Sequence, residues 1–324
     1  MSDPTSTAHE RARAIEANVL QVIRGKDDAV RLALLALFAR GHLLIEDVPG
    51  TGKTMLARAI ACSCAADFRR LQCTQDLLPS DMTGVSVFDP REQTFSFRQG
   101  PVFTDILLAD EINRATPRAQ SALLECMEER QVSADGETYR LSELFFVVAT
   151  QNPIELEGTF PLPEAQLDRF LFRLDVRTPS SEAMARILEA TTGSGSDHAL
   201  PQLVGAELAQ LQAMVRDVLC GTHLLRHVAE LIVATHPENP SSDEATQRFV
   251  RYGASARAGQ AILLGAKARA LLAGRPAVAQ EDIDACLLPA LRHRVLLGFE
   301  ADAEQVSVEQ MLPRWNEQAS SRVG

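Results

Sequence analysis

Residues 42–61 read HLLIEDVPGTGKTMLARAIA. The apolar run Leu43-Leu44-Ile45 has the character of a buried strand, a tight Pro/Gly turn follows, and a helix opens at Lys53. In that order the backbone N–H groups of Gly50, Thr51, Gly52 and Lys53 can wrap an anionic phosphate, because glycine lets the main chain approach closely and a helix N-terminus presents positive potential. Val48, Pro49 and Met55 complete the candidate nucleotide-contacting stretch. Lys53 is placed to reach the β and γ phosphates of ATP, and the Thr54 hydroxyl to ligate Mg²⁺. The stretch departs once from the pattern G-x-x-x-x-G-K-[ST]: Asp47 stands where the first glycine belongs. A glycine-rich turn alone has a bland reading, but GKT between a strand and a helix points to nucleotide binding.

Working outward, Phe68 to Cys73 reads as a second strand, and VSVFDPREQTFSFRQGPVF alternates around Asp89-Pro90-Arg91-Glu92-Gln93, which predicts a hairpin, either plain sheet edge or a projecting contact loop. DILLADEINR, residues 105–114, is a buried strand ending in adjacent carboxylates. Asp110 and Glu111 therefore fall at the C-terminal edge of a parallel sheet, where open α/β folds bind ligands. Asp110 can hold Mg²⁺ through water, and Glu111 can orient or deprotonate an attacking water. PRAQSALLECMEER predicts an amphipathic helix with Pro117 in its first turn, and Ala134-Asp135-Gly136 a second hairpin. FFVVAT is a further strand leading to Asn152, which either holds the same water as Glu111 or is a turn residue before Pro153. PEAQLDRFLF reads as a short helix entering a strand, and nothing in a lone helix demands the cation Arg169.

Upstream, residues 8–23 and 26–40 carry helical periodicity broken at Arg24-Gly25; Val22 and Ile23 suit a contact with the base or the core equally well. Beyond Val176 strand signals fade, residues 191–197 (TTGSGSD) read as a linker or loop, and residues 205–219, 223–235, 255–273 and 280–297 read as helices. Ser255 suits an N-cap, and Arg257 in the following turn opposes the helix dipole unless an anion lies near. The expected organisation is a nucleotide-binding domain over residues 1–190 and a smaller helical domain over 198–324.

Composition narrows the function classes. A length of 324 residues, 46% hydrophobic and 23% charged, describes an ordinary globular protein, and a net charge of −11 argues against a dedicated nucleic-acid surface. No apolar stretch is long enough to span a membrane, and MSDPTSTAHERARA lacks the apolar core of a secretory signal, so a cytoplasmic protein without membrane insertion is expected. Six scattered cysteines without histidines at ligand spacing predict buried, reduced thiols.

The segments EDVPGTGKT, LLPSDMTG, LLADEINRA, QSALLECMEERQV, FFVVATQNPIELEGTFPLPEAQLDRFLF and GASARA, in this order, resemble the MoxR-type AAA+ ATPases over about residues 12–317. The resemblance implies an αβα P-loop core with a parallel sheet, a helical lid, and a self-assembled ring, often a hexamer, that binds ATP between subunits. It accounts for Asp47, since such P-loops often begin with an acidic residue. It assigns Asn152 to sensor 1, Arg169 to the arginine finger that reaches a neighbouring subunit's γ-phosphate, and Arg257 to sensor 2. The hairpins near 85–99 and 131–141 match the pore-facing inserts. It implies an ATPase that remodels, matures or activates a client protein or metalloenzyme, with a separate von Willebrand factor A domain partner. Two departures stand out: Ala256 replaces the usual proline before the sensor-2 arginine, and His236 lies where an arginine is common. A helicase-type nucleic-acid motor requires a basic pore, yet Arg91 and Arg98 are offset by Asp89 and Glu92. A non-hydrolysing switch is opposed by the intact set Lys53, Asp110, Glu111, Asn152 and Arg169.

Overall fold

The computed structural model describes residues 4–46, 52–152, 158–175, 181, 184–185 and 205–323. The first elements are α1 (Pro4–Val22), α2 (Asp27–Phe38), β1 (Leu43–Glu46), α3 (Lys53–Ser63), β2 (Phe68–Gln72), α4 (Pro79–Thr83), β3 (Gly84–Asp89), β4 (Thr94–Gln99) and β5 (Ile106–Asp110). A 3-10 turn (Ile112–Arg114) leads to α5 (Pro117–Glu129), β6 (Gln131–Ala134), β7 (Glu137–Arg140), β8 (Phe146–Gln151), α6 (Glu164–Leu167) and β9 (Phe172–Asp175). Then come α7 (Gly205–Asp217), α8 (Thr222–Ala234), α9 (Glu244–Phe249), β10 (Val250–Tyr252), α10 (Ala256–Leu272), α11 (Gln280–Leu291), β11 (Leu296–Leu297), α12 (Phe299–Ala303) and α13 (Val308–Val323). Two compact units divide the chain: Met1–Arg13, Phe170–Arg173 and Leu211–Gly324 form one, Ala14–Arg169 and Leu174–Gln210 the other. Residues 191–197, read as a linker, lie outside the described residues.

The sheet has the order β2-β5-β8-β1-β9, and the β2/β5, β5/β8 and β8/β1 pairs are parallel. The residues of β1, β5 and β8 are buried almost throughout, the pattern of strands covered on both faces. His42, at the entrance to β1, is buried and ties the layers together: Nε2 donates to the Met127 carbonyl (3.2 Å) at the end of α5, and Nδ1 accepts from the Val147 N–H (3.0 Å) in β8. Burial, with Arg130 nearby, pushes this imidazole down to about 3. Ile23 is buried while Val22 is half-buried.

Both predicted hairpins form. Strands β3 and β4 pair from Gly84↔Gln99 to Asp89↔Thr94, and β6 pairs with β7 through Asp135 (φ 52°) and Gly136 (φ 83°), the two positive φ values of a type I′ turn. The hairpins touch: Phe97 stacks on Tyr139 with centroids 4.1 Å apart, and the Ser86 hydroxyl bonds the Asp135 carboxylate. The outer end of β3–β4 stays bare, with Phe95 74% exposed beside Phe88.

In the helical unit α10 packs on α11 and α8, and α13 on α8. Trp315, wholly buried, donates its indole N–H to Thr246 Oγ1 (2.9 Å). Asp282 is also wholly buried and accepts from the Ala279 N–H (2.9 Å), Arg269 (2.6 Å) and Arg275 (2.7 Å), which satisfies a carboxylate that water cannot reach. Periodicity predicts one helix over 280–297, but α11 ends at Leu291. The chain then turns so that His293 and Arg294 point inward, and Leu296–Leu297 pairs antiparallel with β10. Cys64, Cys73, Cys126 and Cys286 are buried, with thiols pushed up to about 12 by burial. Cys62 is exposed and Cys220 partly so, against the expectation that all six are buried.

Candidate active site

Two elements bring the candidate residues to the C-terminal edge of the sheet. Gly52 caps α3 in the left-handed conformation (φ 88°, ψ 17°), which glycine adopts without the steric cost of a Cβ. Lys53 and Thr54 follow in the first turn, both half-buried, and Met55 is exposed. Val48, Pro49, Gly50 and Thr51 lie outside the described residues. Helix α3 packs on β5, whose last residue is Asp110.

The carboxylates are held by a small network. Thr150 Oγ1 donates to Asp110 Oδ1 (2.7 Å) and accepts from the Glu111 N–H (2.9 Å). One hydroxyl on β8 thus fixes Asp110, the last residue of β5, and Glu111 just after it. Glu111 itself is left-handed (φ 58°, ψ 51°), a conformation that costs a non-glycine residue about 1–2 kcal/mol. Arg70 reaches Asp110 Oδ2 through Nη2 (2.6 Å) and Nε (3.1 Å), and its Nη2 also meets Gln72 Oε1 (3.0 Å). Gln72 Nε2 donates to Glu111 Oε2 (2.9 Å), and Arg114 Nη1 lies 3.3 Å from the same oxygen. Asn152, buried after β8, accepts at its carbonyl from Asn113 Nδ2 (3.4 Å).

Thr150, Arg70, Gln72, Arg114 and Asn113 were not singled out by the sequence reading. A signal existed for part of this: Arg70 and Gln72 alternate on the strand predicted over Phe68 to Cys73, so both fall on the same face, and the structure sets that strand beside the acidic one. The bridging hydroxyl of Thr150 has no such signature, because a Thr in FFVVAT reads as a β-former. Arg169 donates to the Leu124 carbonyl (2.6 Å) and pairs with Glu128 (2.9 Å), both on α5. Arg257 is exposed in the first turn of α10, where the Ser255 side chain accepts its N–H (3.2 Å), as expected of an N-cap. His236 bonds the Ala254 carbonyl (3.0 Å) and Glu238 (3.0 Å), a local structural task. Among the described residues no cluster of His, Cys, Asp and Glu is arranged to hold a metal by itself. A hydroxyl at Thr54 and a carboxylate at Asp110 are nonetheless hard oxygen donors of the kind that suits Mg²⁺ shared with phosphate oxygens.

A parallel sheet ending in this acidic pair, beside a helix that opens on GKT, defines a P-loop ATPase. Residues 42–172 match the ATPase family associated with various cellular activities (AAA), and residues 242–315 match the AAA lid domain. The chain is 38% identical to Chaperone MoxR1 of Mycobacterium tuberculosis over 94% of its length and 81% of the relative's. It is 44% identical to the uncharacterized protein YeaC of Bacillus subtilis (92% and 90% covered) and 34% identical to protein MoxR of Paracoccus denitrificans (92% of each). A crystallised protein of Cytophaga hutchinsonii ATCC 33406 superposes with a TM-score of 0.91 at 33% identity, covering 97% of this chain and 96% of that one. The chain belongs to the MoxR family of AAA+ ATPases. No helix among the described residues is long and apolar enough to cross a membrane.

Proposed function

We propose that this ATPase works in the cytoplasm as a ring, a hexamer by family resemblance, that remodels or matures a client protein or metalloenzyme together with a separate von Willebrand factor A domain partner. Its ATPase core spans residues 1–190 and its lid 198–324. The observation that carries the catalytic part is the Thr150 hydroxyl joining Asp110 to the backbone of Glu111 at the sheet edge. Residues 48–55 bind the triphosphate, with Lys53 on the β and γ phosphates. Thr54 and, through water, Asp110 would hold Mg²⁺, which would supply charge neutralisation to the phosphates. Glu111 takes the proton of the attacking water as the new O–P bond forms and the bond to the ADP oxygen breaks. Asn152 orients that water. Arg169 of one subunit meets the γ-phosphate held by the next, and Arg257 joins the lid to the nucleotide. The name Chaperone MoxR1 of a relative with 38% identity supports the client-directed reading.

Steady-state turnover and nucleotide affinity test the assignment. Lys53→Ala is expected to lose ATP binding, and Glu111→Gln to bind ATP yet turn it over at least about 10²-fold more slowly. Undiminished affinity in the first, or parental turnover in the second, sinks the assignment.

A further inference from the structure

The turn after α11 carries two inward side chains, His293 and Arg294, 3% and 9% exposed. Arg294 Nη2 donates to the Phe170 carbonyl (2.6 Å), and Nη1 to the carbonyls of Leu171 (3.0 Å) and Ala290 (2.7 Å). His293 Nε2 lies 3.1 Å from the same Phe170 carbonyl. A carbonyl only accepts, so Nε2 carries the proton. Burial and the neighbouring Arg294 hold the imidazole neutral, well below its usual range. His293 Nδ1 is buried with no hydrogen-bond partner. Leaving an acceptor unsatisfied is costly, so the ring is there for what Nε2 holds.

The grip extends one residue further. A Cβ on Gly265 of α10 would come within 2.3 Å of the Phe172 ring and 2.9 Å of Cys286, so the ring fits only because this position is glycine. Three consecutive residues, Phe170 to Phe172, are therefore held by α10 and by the turn after α11. The residue before them is Arg169, whose own guanidinium bonds to α5 in the other compact unit. Helix α10, which seats Phe172 midway along, carries Arg257 in its first turn.

We propose that Arg294 and His293 are positioning residues for Arg169, fixing the peptides immediately after it and, through them, the placement of its guanidinium. The inference rests on the reading of Arg169 as the cation acting on a neighbouring subunit's phosphate. Charge-assisted hydrogen bonds to carbonyls in a dry interior are strong and directional. The clamped carbonyl of Phe170 is one residue from Arg169, and a misplacement of about 1 Å costs roughly 10²-fold in rate.

The test uses the whole 324-residue chain and compares Arg294→Met, His293→Leu, His293→Gln, Arg169→Ala and the double variant Arg169→Ala/Arg294→Met, with Trp315 fluorescence to verify folding of the helical unit. Arg294→Met and His293→Leu are expected to lower kcat about 10²-fold at unchanged nucleotide affinity. His293→Gln, which keeps an N–H near the place of Nε2, should recover most of the rate. The double variant should be no slower than Arg169→Ala alone, since both changes act through one side chain. Parental kcat in Arg294→Met, or a double variant slowed by the product of the two single losses, overturns the proposal. Should Arg294→Met fail to fold, the histidine pair decides: equal rates for the Leu and Gln variants overturn it. Parental turnover in Arg169→Ala overturns the underlying reading of Arg169 instead.

Discussion

Thr150 shows how much a single hydroxyl can organise. It donates to one carboxylate and accepts from the backbone of the next residue, so the strained conformation of Glu111 is secured from a neighbouring strand. Thr150→Val keeps the shape and removes both bonds, at a cost of about 1–3 kcal/mol for the groups left unpaired. The expected result is a kcat lower by about 10–10²-fold with ATP affinity retained; parental kcat would show that the bridge is idle. His42 makes a different prediction. Its folded value of about 3 lies below the unfolded value near 6.5, so the unfolded chain binds the extra proton between those limits. Stability is therefore full above about pH 6.5 and falls as the pH drops toward 3, by about 2 kcal/mol at pH 5. His293, also depressed, adds to the same trend. Urea unfolding at pH 7.5 and pH 5 measures this, and equal stability at the two values would contradict it.

At the scale of elements, periodicity and turn chemistry made much of the core legible. The apolar runs at Leu43, Ile106 and Phe146 became adjacent strands, and Asp135-Gly136 made its hairpin, because each signal is local and burial reinforces it. Helices α9, α12 and α13 carried no expectation of their own, and three further features were not legible. The end of α11 at Leu291 is set by carbonyls 120 or so residues earlier in the chain, which His293 and Arg294 must reach. The β10–β11 pair is too short to alternate. The Arg70–Asp110 contact depends on strand order, which no single stretch encodes. The sequence leaves the hairpin β3–β4 as either a sheet edge or a projecting loop; among the described strands β3 and β4 pair with each other alone and leave Phe88 and Phe95 bare at the outer end. Its base is constrained, since Gly84 has φ 109° and a Cβ there would meet the Arg98 carbonyl at 2.3 Å. Replacing the turn residues 89–93 with a short Gly-containing turn leaves that base intact. Basal ATP turnover is expected to stay within about twofold of the parent, while client capture by the ATP-loaded Glu111→Gln protein is lost. A collapse of basal turnover would make the turn structural instead.

For the whole molecule, the proposed ring has one subunit lend an arginine to the next. Arg169 bonds to α5, and none of the bonds described for it reaches the acidic pair of its own chain. In the proposed ring Arg169 acts on the neighbour's nucleotide, and such arginines are worth ~10³–10⁵ in rate in other nucleotide hydrolases. The deciding measurement is ATP turnover in mixtures of Arg169→Ala with Glu111→Gln protein, after verifying that the two co-assemble. Each variant alone is predicted to be nearly inactive. In the mixture, an Arg169→Ala subunit with its glutamate intact receives the arginine of a Glu111→Gln neighbour, so activity is predicted to return. Verified mixed assemblies that remain as inactive as either variant alone would contradict a reaction shared between subunits.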